Sequence, residues 1–223
     1  MKVLELFAGT EGISNAFREE GHESFSIDAD EQFPCSWNTD ISKITTQDIL
    51  DRFGVPDMVW IGTPCESYSI AAISHHRRKN PETGNLDGVS PHAIFCDAMN
   101  WHVRKIVEEL QELNPNLIYF WENPRGGFRK MDFIQGIPRY TITYCKFGDK
   151  RMKPTDIFTN HPDPQFPEPC KNGDPCHERA PRGSKTGTQG LKNAKTRSEY
   201  PKALCKHIVN IMTHLKENNN EQN

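Results

Sequence analysis

Val3-Leu4-Glu5-Leu6-Phe7-Ala8-Gly9-Thr10-Glu11-Gly12 is the stretch on which the reading of the fold turns. A short apolar run stops at Ala8-Gly9, and Glu11 to Glu20 then has helical character, with Gly21 as a C-cap. Glycines at a strand-to-helix turn let the backbone approach a ligand, although the same turn also serves as a plain tight connection. The pattern repeats down the chain. Ser24-Phe25-Ser26-Ile27 reads as a strand ending at Asp28, and Met58-Val59-Trp60-Ile61 as another ending at Gly62-Thr63-Pro64. His92 to Leu113 has its apolar residues largely on one stripe, as a helix requires, and Asn114-Pro115 ends it. Leu117 to Trp121 is continuously apolar, Tyr140 to Phe147 is a further strand, and Lys202 to Leu215 closes the chain as a helix. Fully apolar strands alternating with helices predict an α/β, Rossmann-like fold, a mostly parallel sheet covered on both faces.

Composition narrows the function classes. The chain has 223 residues, 35% hydrophobic and 26% charged, with a formal charge of −3. That suits one domain with one sizeable core and excludes a general polyanion binder. No apolar run reaches the roughly 18 residues of a membrane span. The seven cysteines are scattered and odd in number, so the expectation is a reducing, intracellular setting, not a secreted disulfide framework. Residues 160–197 are rich in Pro, Gly, Lys and Arg and read as an irregular insertion, and 217–223 as a disordered polar tail.

Ligands of open parallel sheets bind beyond the carboxyl ends of the strands. Those ends carry the glycine turn, Asp28, Asp40, Pro64-Cys65 and Glu122-Asn123-Pro124. The turn with an acidic residue after the second strand suggests a nucleoside-bearing cofactor. Glu11 would repel a diphosphate, so that cofactor is neutral or cationic. Cys65, after a proline and in a loop, is placed for thiolate chemistry; taken alone it also reads as a buried structural cysteine.

Phe7-Ala8-Gly9-Thr10-Glu11-Gly12, Thr63-Pro64-Cys65, Glu122-Asn123-Pro124 and Lys150-Arg151-Met152-Lys153, in this order, resemble the motif series of the DNA (cytosine-5)-methyltransferases, in a short form similar to phage-encoded members. The resemblance covers roughly residues 1–160 and a closing segment near 193–212. It implies an S-adenosylmethionine-dependent methyltransferase fold and methyl transfer to C5 of a flipped cytosine through a covalent adduct of Cys65 with C6. On it, Cys65 is the nucleophile and Glu122 the acid at N3 and the exocyclic amine. Arg151 is the base-side cation, and Asn123 and Pro64 shape the pocket. Phe7, Ala8, Gly9, Thr10, Gly12, Asp28 and Asp40 hold the cofactor. An aromatic residue after the proline would instead suit methylation of exocyclic amines, and this chain has Cys65 there.

The implied partner is double-stranded DNA, bound by a monomer; RNA is the alternative substrate, and a degenerate nucleic-acid-binding module the alternative function. Ser69, His76, Arg77, Arg78 and Lys79 lie on what the resemblance makes a mobile loop beside the nucleophile, and with Lys153, Arg182 and Lys185 they are the expected nucleic-acid contacts. Eight Lys or Arg against one acid, Glu199, fall between Arg179 and Lys206. The expected organisation is a catalytic unit over 1–160, a reduced target-recognition insertion over 161–197 and a closing helix over 198–216. Cys170, Cys176 and His177 are candidate ligands of a structural zinc in that insertion, with Cys145 or His161 as the fourth; loop cysteines without a metal are the alternative.

Overall fold

The computed structural model describes residues 1–178 and 198–221, the last four of these as helical backbone only. The strands are β1 (Lys2–Leu6), β2 (Glu23–Asp28), β3 (Trp37–Asn38), β4 (Met58–Ile61), β5 (Arg77–Lys79), β6 (Leu86–Gly88), β7 (Ile118–Pro124), β8 (Arg139–Thr143) and β9 (Pro154–Thr159). The α-helices are α1 (Gly12–Glu19), α2 (Thr46–Arg52), α3 (Ile73–His76), α4 (Pro91–Leu113) and α5 (Lys202–Glu221). Seven strands form one sheet in the order β3-β2-β1-β4-β7-β9-β8, and β5 and β6 form a separate hairpin. All pairs from β3 to β7 are parallel, whereas β9 runs antiparallel to both β7 and β8. The expected mostly parallel α/β sheet is what the chain forms.

Alternation along the strands sorts the core into two layers. Leu4, Leu6, Val59, Ile61, Tyr119 and Trp121 pack with Ile49 of α2 and with Val103, Ile106 and Leu110 of α4. Val3, Met58, Trp60, Ile118 and Phe120 point the other way, onto Ile13 and Phe17 of α1 and Leu204, Ile208 and Val209 of α5. A strand flanked on both faces has no polar side, which is why β4 is buried at all four positions. Helix starts follow local capping chemistry. Thr45 and Asp48 form a reciprocal capping box at α2, and the Ser90 hydroxyl accepts the Ala93 N–H at the head of α4, with Pro91 at its first turn.

Four boundaries differ from the sequence reading. β7 continues through Pro124, so Glu122 and Asn123 lie in the strand and not beyond it. The segment read as one strand over 140–147 is β8 followed by a 3-10 turn, Tyr144–Phe147. β9 had no counterpart in that reading. The closing helix extends to Glu221 and takes in residues 217–221, read as a disordered tail, because its apolar face keeps packing through Ile211 and Met212. Among the described residues, no helix is long and apolar enough to cross a membrane.

Candidate active site

The carboxyl ends of β1, β2, β4 and β7 open on one edge, and the reversed β9 brings its amino end to the same edge. Pro124 is opposite Thr155 in the register, so the turn before β9, residues 144–153, stands beside Glu122.

At β1 the turn is strained. Phe7 (φ 59°), Gly9 (φ 49°) and Glu11 (φ 54°) all lie in the left-handed region. For the two non-glycine residues that costs of order 1–3 kcal/mol each, a pattern found at ligand clamps. A Cβ at Gly9 would meet nothing within 4 Å, so this backbone faces open space. The Asp28 carboxylate accepts the Gly9 and Asp30 amides, both at 2.8 Å, which locks the β2 end to the glycine turn. Glu11 is paired with Arg18 at 2.9 Å and accepts the Ser26 hydroxyl at 2.5 Å. Asp40 caps a 3-10 turn, accepting the Ser42 amide and hydroxyl, and these bonds hold its carboxyl below the usual range.

At β4, the Asn123 amide donates to the Thr63 carbonyl and the Trp121 indole to the Thr63 hydroxyl, both at 3.2 Å. These two bonds fix the strand end that presents Pro64 and Cys65. The Cys65 carbonyl accepts the Tyr68 and Ser69 amides, which turns the chain away from the thiol. Burial, then the charges of Glu66 and Glu122, push the Cys65 thiol up to about 11; Lys153 opposes them. Burial also raises Glu122, against Lys153 and the hydroxyls of Tyr144 and Tyr200. Burial lowers Lys153, and the negative charges of Glu122 and Cys65 hold it up. Lys153 therefore acts on both Cys65 and Glu122, and Glu122 on Cys65.

The cation acting on the thiol and the carboxyl is Lys153, which the sequence reading grouped with the nucleic-acid contacts. Arg151, expected in the base-side role, forms a two-pronged pair with Asp149, with contacts of 2.5 and 2.9 Å. The Lys153 ammonium lies 4.3 Å from the centre of the Tyr144 ring, and the Arg151 guanidinium 5.7 Å from it. Tyr144 donates its hydroxyl to Glu122 at 3.3 Å.

Tyr144 and Tyr200 are the residues sequence reasoning missed. Tyr144 stands directly after β8, so the strand-end rule would have found it had the boundary been read correctly. Tyr200 gave no such signal. Its ring packs edge-on to Trp60 at 5.3 Å, and a Cβ at Gly62 would overlap its hydroxyl.

The loop after Cys65 is less free than its charges suggest. Arg77 is buried: it donates to the Ser67 carbonyl and hydroxyl and pairs with Asp97 at 2.7 and 3.0 Å. It therefore cannot serve as a phosphate contact, which corrects the sequence expectation. On the β5–β6 hairpin Arg77 is buried, whereas its neighbours Arg78 and Lys79 are exposed. Tyr68, beneath Arg77 at 4.2 Å, donates to Asp97 at 2.7 Å and receives the Asn100 amide at 2.9 Å. His76 is hydrogen-bonded to the Ser90 hydroxyl at 2.8 Å and its ring is held below the usual range, burial first, so it is a weak candidate for a cation. Ser69, Arg78 and Lys79 are at the surface to different degrees. Arg182 and Lys185 lie outside the described residues.

Cys170, Cys176 and His177 do come together, with Cys145 as the fourth member; His161 is not among them, its ring lying against Phe120 at 6.0 Å.

Three comparisons bear on this arrangement. Among curated proteins no sequence matches the chain. Solved structures similar to it include an Entamoeba histolytica methyltransferase (12% identity, 71% of this chain and 52% of that one, TM-score 0.49). They also include a protein described as a DNA modification methyltransferase encoded within an E. coli prophage (16%, 71% and 46%, 0.48) and the S. pombe Dnmt2 methyltransferase (16%, 71% and 48%, 0.47). The chain spans about half the length of these proteins. Residues 1–86, which carry the glycine turn, Asp28, Asp40 and Thr63-Pro64-Cys65, match the family model of the C-5 cytosine-specific DNA methylases.

Proposed function

We propose that the chain methylates C5 of cytosine in double-stranded DNA, using S-adenosylmethionine. The observation that carries this reading is the convergence of Cys65, Glu122 and Lys153 at one sheet edge, where Lys153 acts on the thiol and the carboxyl and Glu122 acts on the thiol. Bound S-adenosylmethionine supplies the electrophilic methyl group. The residues fit it: the open backbone at Gly9 with Phe7, Ala8, Thr10 and Gly12 would hold its methionine and adenine portions. Asp28 and Asp40 would hold its ribose and adenine amine, and a cationic ligand suits an edge rich in carboxylates.

Cys65 adds as thiolate to C6 of the flipped base. Glu122, holding a proton, hydrogen-bonds N3 and so stabilises the enamine that makes C5 nucleophilic. Between them, thiol and carboxyl need one proton, and the reaction needs it on Glu122. Lys153 favours the thiolate and shields it from the ionised carboxylate. Asn123 keeps the Thr63-Pro64-Cys65 end in place. After methylation the C5 proton leaves and the thiolate is eliminated, which restores Cys65. Arg151, fixed by Asp149, supports the Tyr144 ring beside the base. Residues 1–160 with the closing helix form the catalytic unit, and 161–197, with Arg78 and Lys79, read the DNA. Zinc at Cys170, Cys176 and His177 enters no step of this chemistry and is structural.

The test is transfer of labelled methyl to mixed-sequence duplex DNA, with Cys65→Ala alongside. Label in 5-methylcytosine that vanishes in the variant supports the reading. Label on RNA alone moves the substrate. Cofactor binding without any transfer favours a binding module.

A further inference from the structure

At the residue that follows Tyr144, four soft or borderline ligand atoms meet. The Cys145 sulfur lies 3.1 Å from that of Cys170 and 3.6 Å from that of Cys176. Nδ1 of His177 is 3.6 Å from the Cys170 sulfur and 3.7 Å from the Cys176 sulfur. All four atoms are within 4.8 Å of one another. A tetrahedral zinc, about 2.3 Å from sulfur and about 2.0–2.1 Å from nitrogen, spaces its ligands roughly 3.5–3.8 Å apart. The observed separations bracket that range, with the Cys145–Cys170 pair the tightest.

Packing alone does not account for this cluster. Cys145 and Cys170 are buried, yet Cys176 is exposed and His177 half-exposed, so hydrophobic burial does not explain what draws them in. The segment that supplies three of the four needs an anchor. From Asn160 to Glu178 it has five prolines and one large apolar side chain, Phe166. Its backbone is shaped to return on itself. Lys171 donates its amide to the Asp174 carboxylate at 2.7 Å, Asp174 donates back to the Lys171 carbonyl at 3.1 Å, and Gly173 takes φ 102°. That turn brings Cys176-His177 beside Cys170. Two more bonds dock the segment on the β8–β9 turn: the Cys170 amide to the Thr143 hydroxyl (3.0 Å) and the Glu178 amide to the Lys150 carbonyl (2.8 Å).

We propose that Cys145, Cys170, Cys176 and His177 bind one zinc ion at a closed Cys3His site that fastens residues 160–178 to the sheet edge. Three thiolates and one imidazole in tetrahedral array select zinc over harder cations. The fourth ligand gives the site its consequence. Cys145 directly follows Tyr144, whose hydroxyl meets Glu122 and whose ring lies under Lys153. The ion thereby holds the turn that supplies the cation and the phenol to the edge; this consequence, unlike the metal, rests on the reading of Glu122 given above.

The experiment is elemental analysis of the full chain purified without added metal, together with native thiol titration and the visible spectrum after cobalt replacement. One zinc per chain is expected, with the spectrum of a tetrahedral thiolate site. Cys145→Ser and Cys176→Ser should each retain less than a tenth of the metal, and Cys35→Ser all of it. His177→Cys, which keeps four soft ligands, should retain zinc and guards against a variant that merely misfolds. Folded wild-type protein without zinc that takes up no cobalt would overturn the proposal. So would a Cys145–Cys170 disulfide in the native chain, or zinc that persists in Cys145→Ser. None of these readouts involves methyl transfer, so an inactive enzyme with one zinc refutes the catalytic reading and leaves the metal site standing.

Discussion

Asp97→Ala should leave Arg77 as an unpaired charge inside the protein. The Arg77 side chain is 0% exposed and that of Asp97 25% exposed, and the two meet at 2.7 Å. Removing one partner of a buried pair costs about 3–5 kcal/mol, because the remaining ion keeps its desolvation penalty without its counter-charge. Asp97 is partly wet and the Ser67 bonds to Arg77 survive, so the value belongs near the lower end, about 3 kcal/mol. For a chain of this size that is a fall in Tm of about 6–12 °C. Thermal and urea unfolding at neutral pH measure it. The companion assay is DNA affinity against salt. Arg78→Ala, on the exposed side of the hairpin, should leave Tm unchanged and lower the salt slope by about one. Arg77→Met should do the reverse, lowering Tm and leaving the slope alone. If Asp97→Ala unfolds within 1 kcal/mol of wild type, or Arg77→Met flattens the slope as Arg78→Ala does, the assignment of Arg77 to the interior is wrong.

Three further outcomes follow from the same geometry. Glu122→Gln removes a negative charge that holds the Cys65 thiol up at about 11, so alkylation of Cys65 near pH 8–9 should speed up, by about tenfold for each pKa unit of relief, while methyl transfer is lost; unchanged alkylation would break the link between the two groups. Glu5, buried between the Ile13 and Ser14 amides, is raised from 4.5 to about 7, chiefly by burial. Its stabilising proton is fully in place below pH 4.5 and lost as pH rises through 7, so stability should fall by roughly 3 kcal/mol across that window; urea midpoints for wild type and Glu5→Gln should differ in this slope, and equal slopes would exclude Glu5 as its source. Gly62→Ala should cost about 1–3 kcal/mol by pushing on the Tyr200 hydroxyl, and Tyr200→Phe should restore much of it, as unfolding of the single and double variants would record.

The parallel half of the sheet was legible because its strands are apolar on both faces and its helices carry clear caps. Glu122 and Cys65 were found because a carboxylate and a thiol beside strand ends are conspicuous wherever the boundary falls. The other half was harder. β9 opens with a proline and carries Asp156, which reads as a loop; in the fold that aspartate is buried against Arg129 at 2.5 and 2.8 Å, a partner far away in sequence. His76 to Lys79 reads as a run of nucleic-acid contacts on one loop because a three-residue strand is too short to reveal which residue turns inward. The pairing of Arg151 with Asp149, which leaves Lys153 as the cation nearer the Tyr144 ring, is a feature of one turn and not of residue type. Tyr200 reaches the site only through the packing of the closing helix.

The reversal of β9 bears on when the thiol acquires its folded surroundings. The β8–β9 hairpin is joined by a short stretch of chain and can zip early, whereas β4 and β7 must be brought together across α4. Until β7 takes its place between β4 and β9, Cys65 has neither the carboxylate nor the ammonium that govern it and behaves as an ordinary cysteine. Suppression of the free thiol, which the folded surroundings push up to about 11, thus depends on β7 being seated in the sheet, and the degree to which this thiol departs from an ordinary one is a gauge of complete assembly.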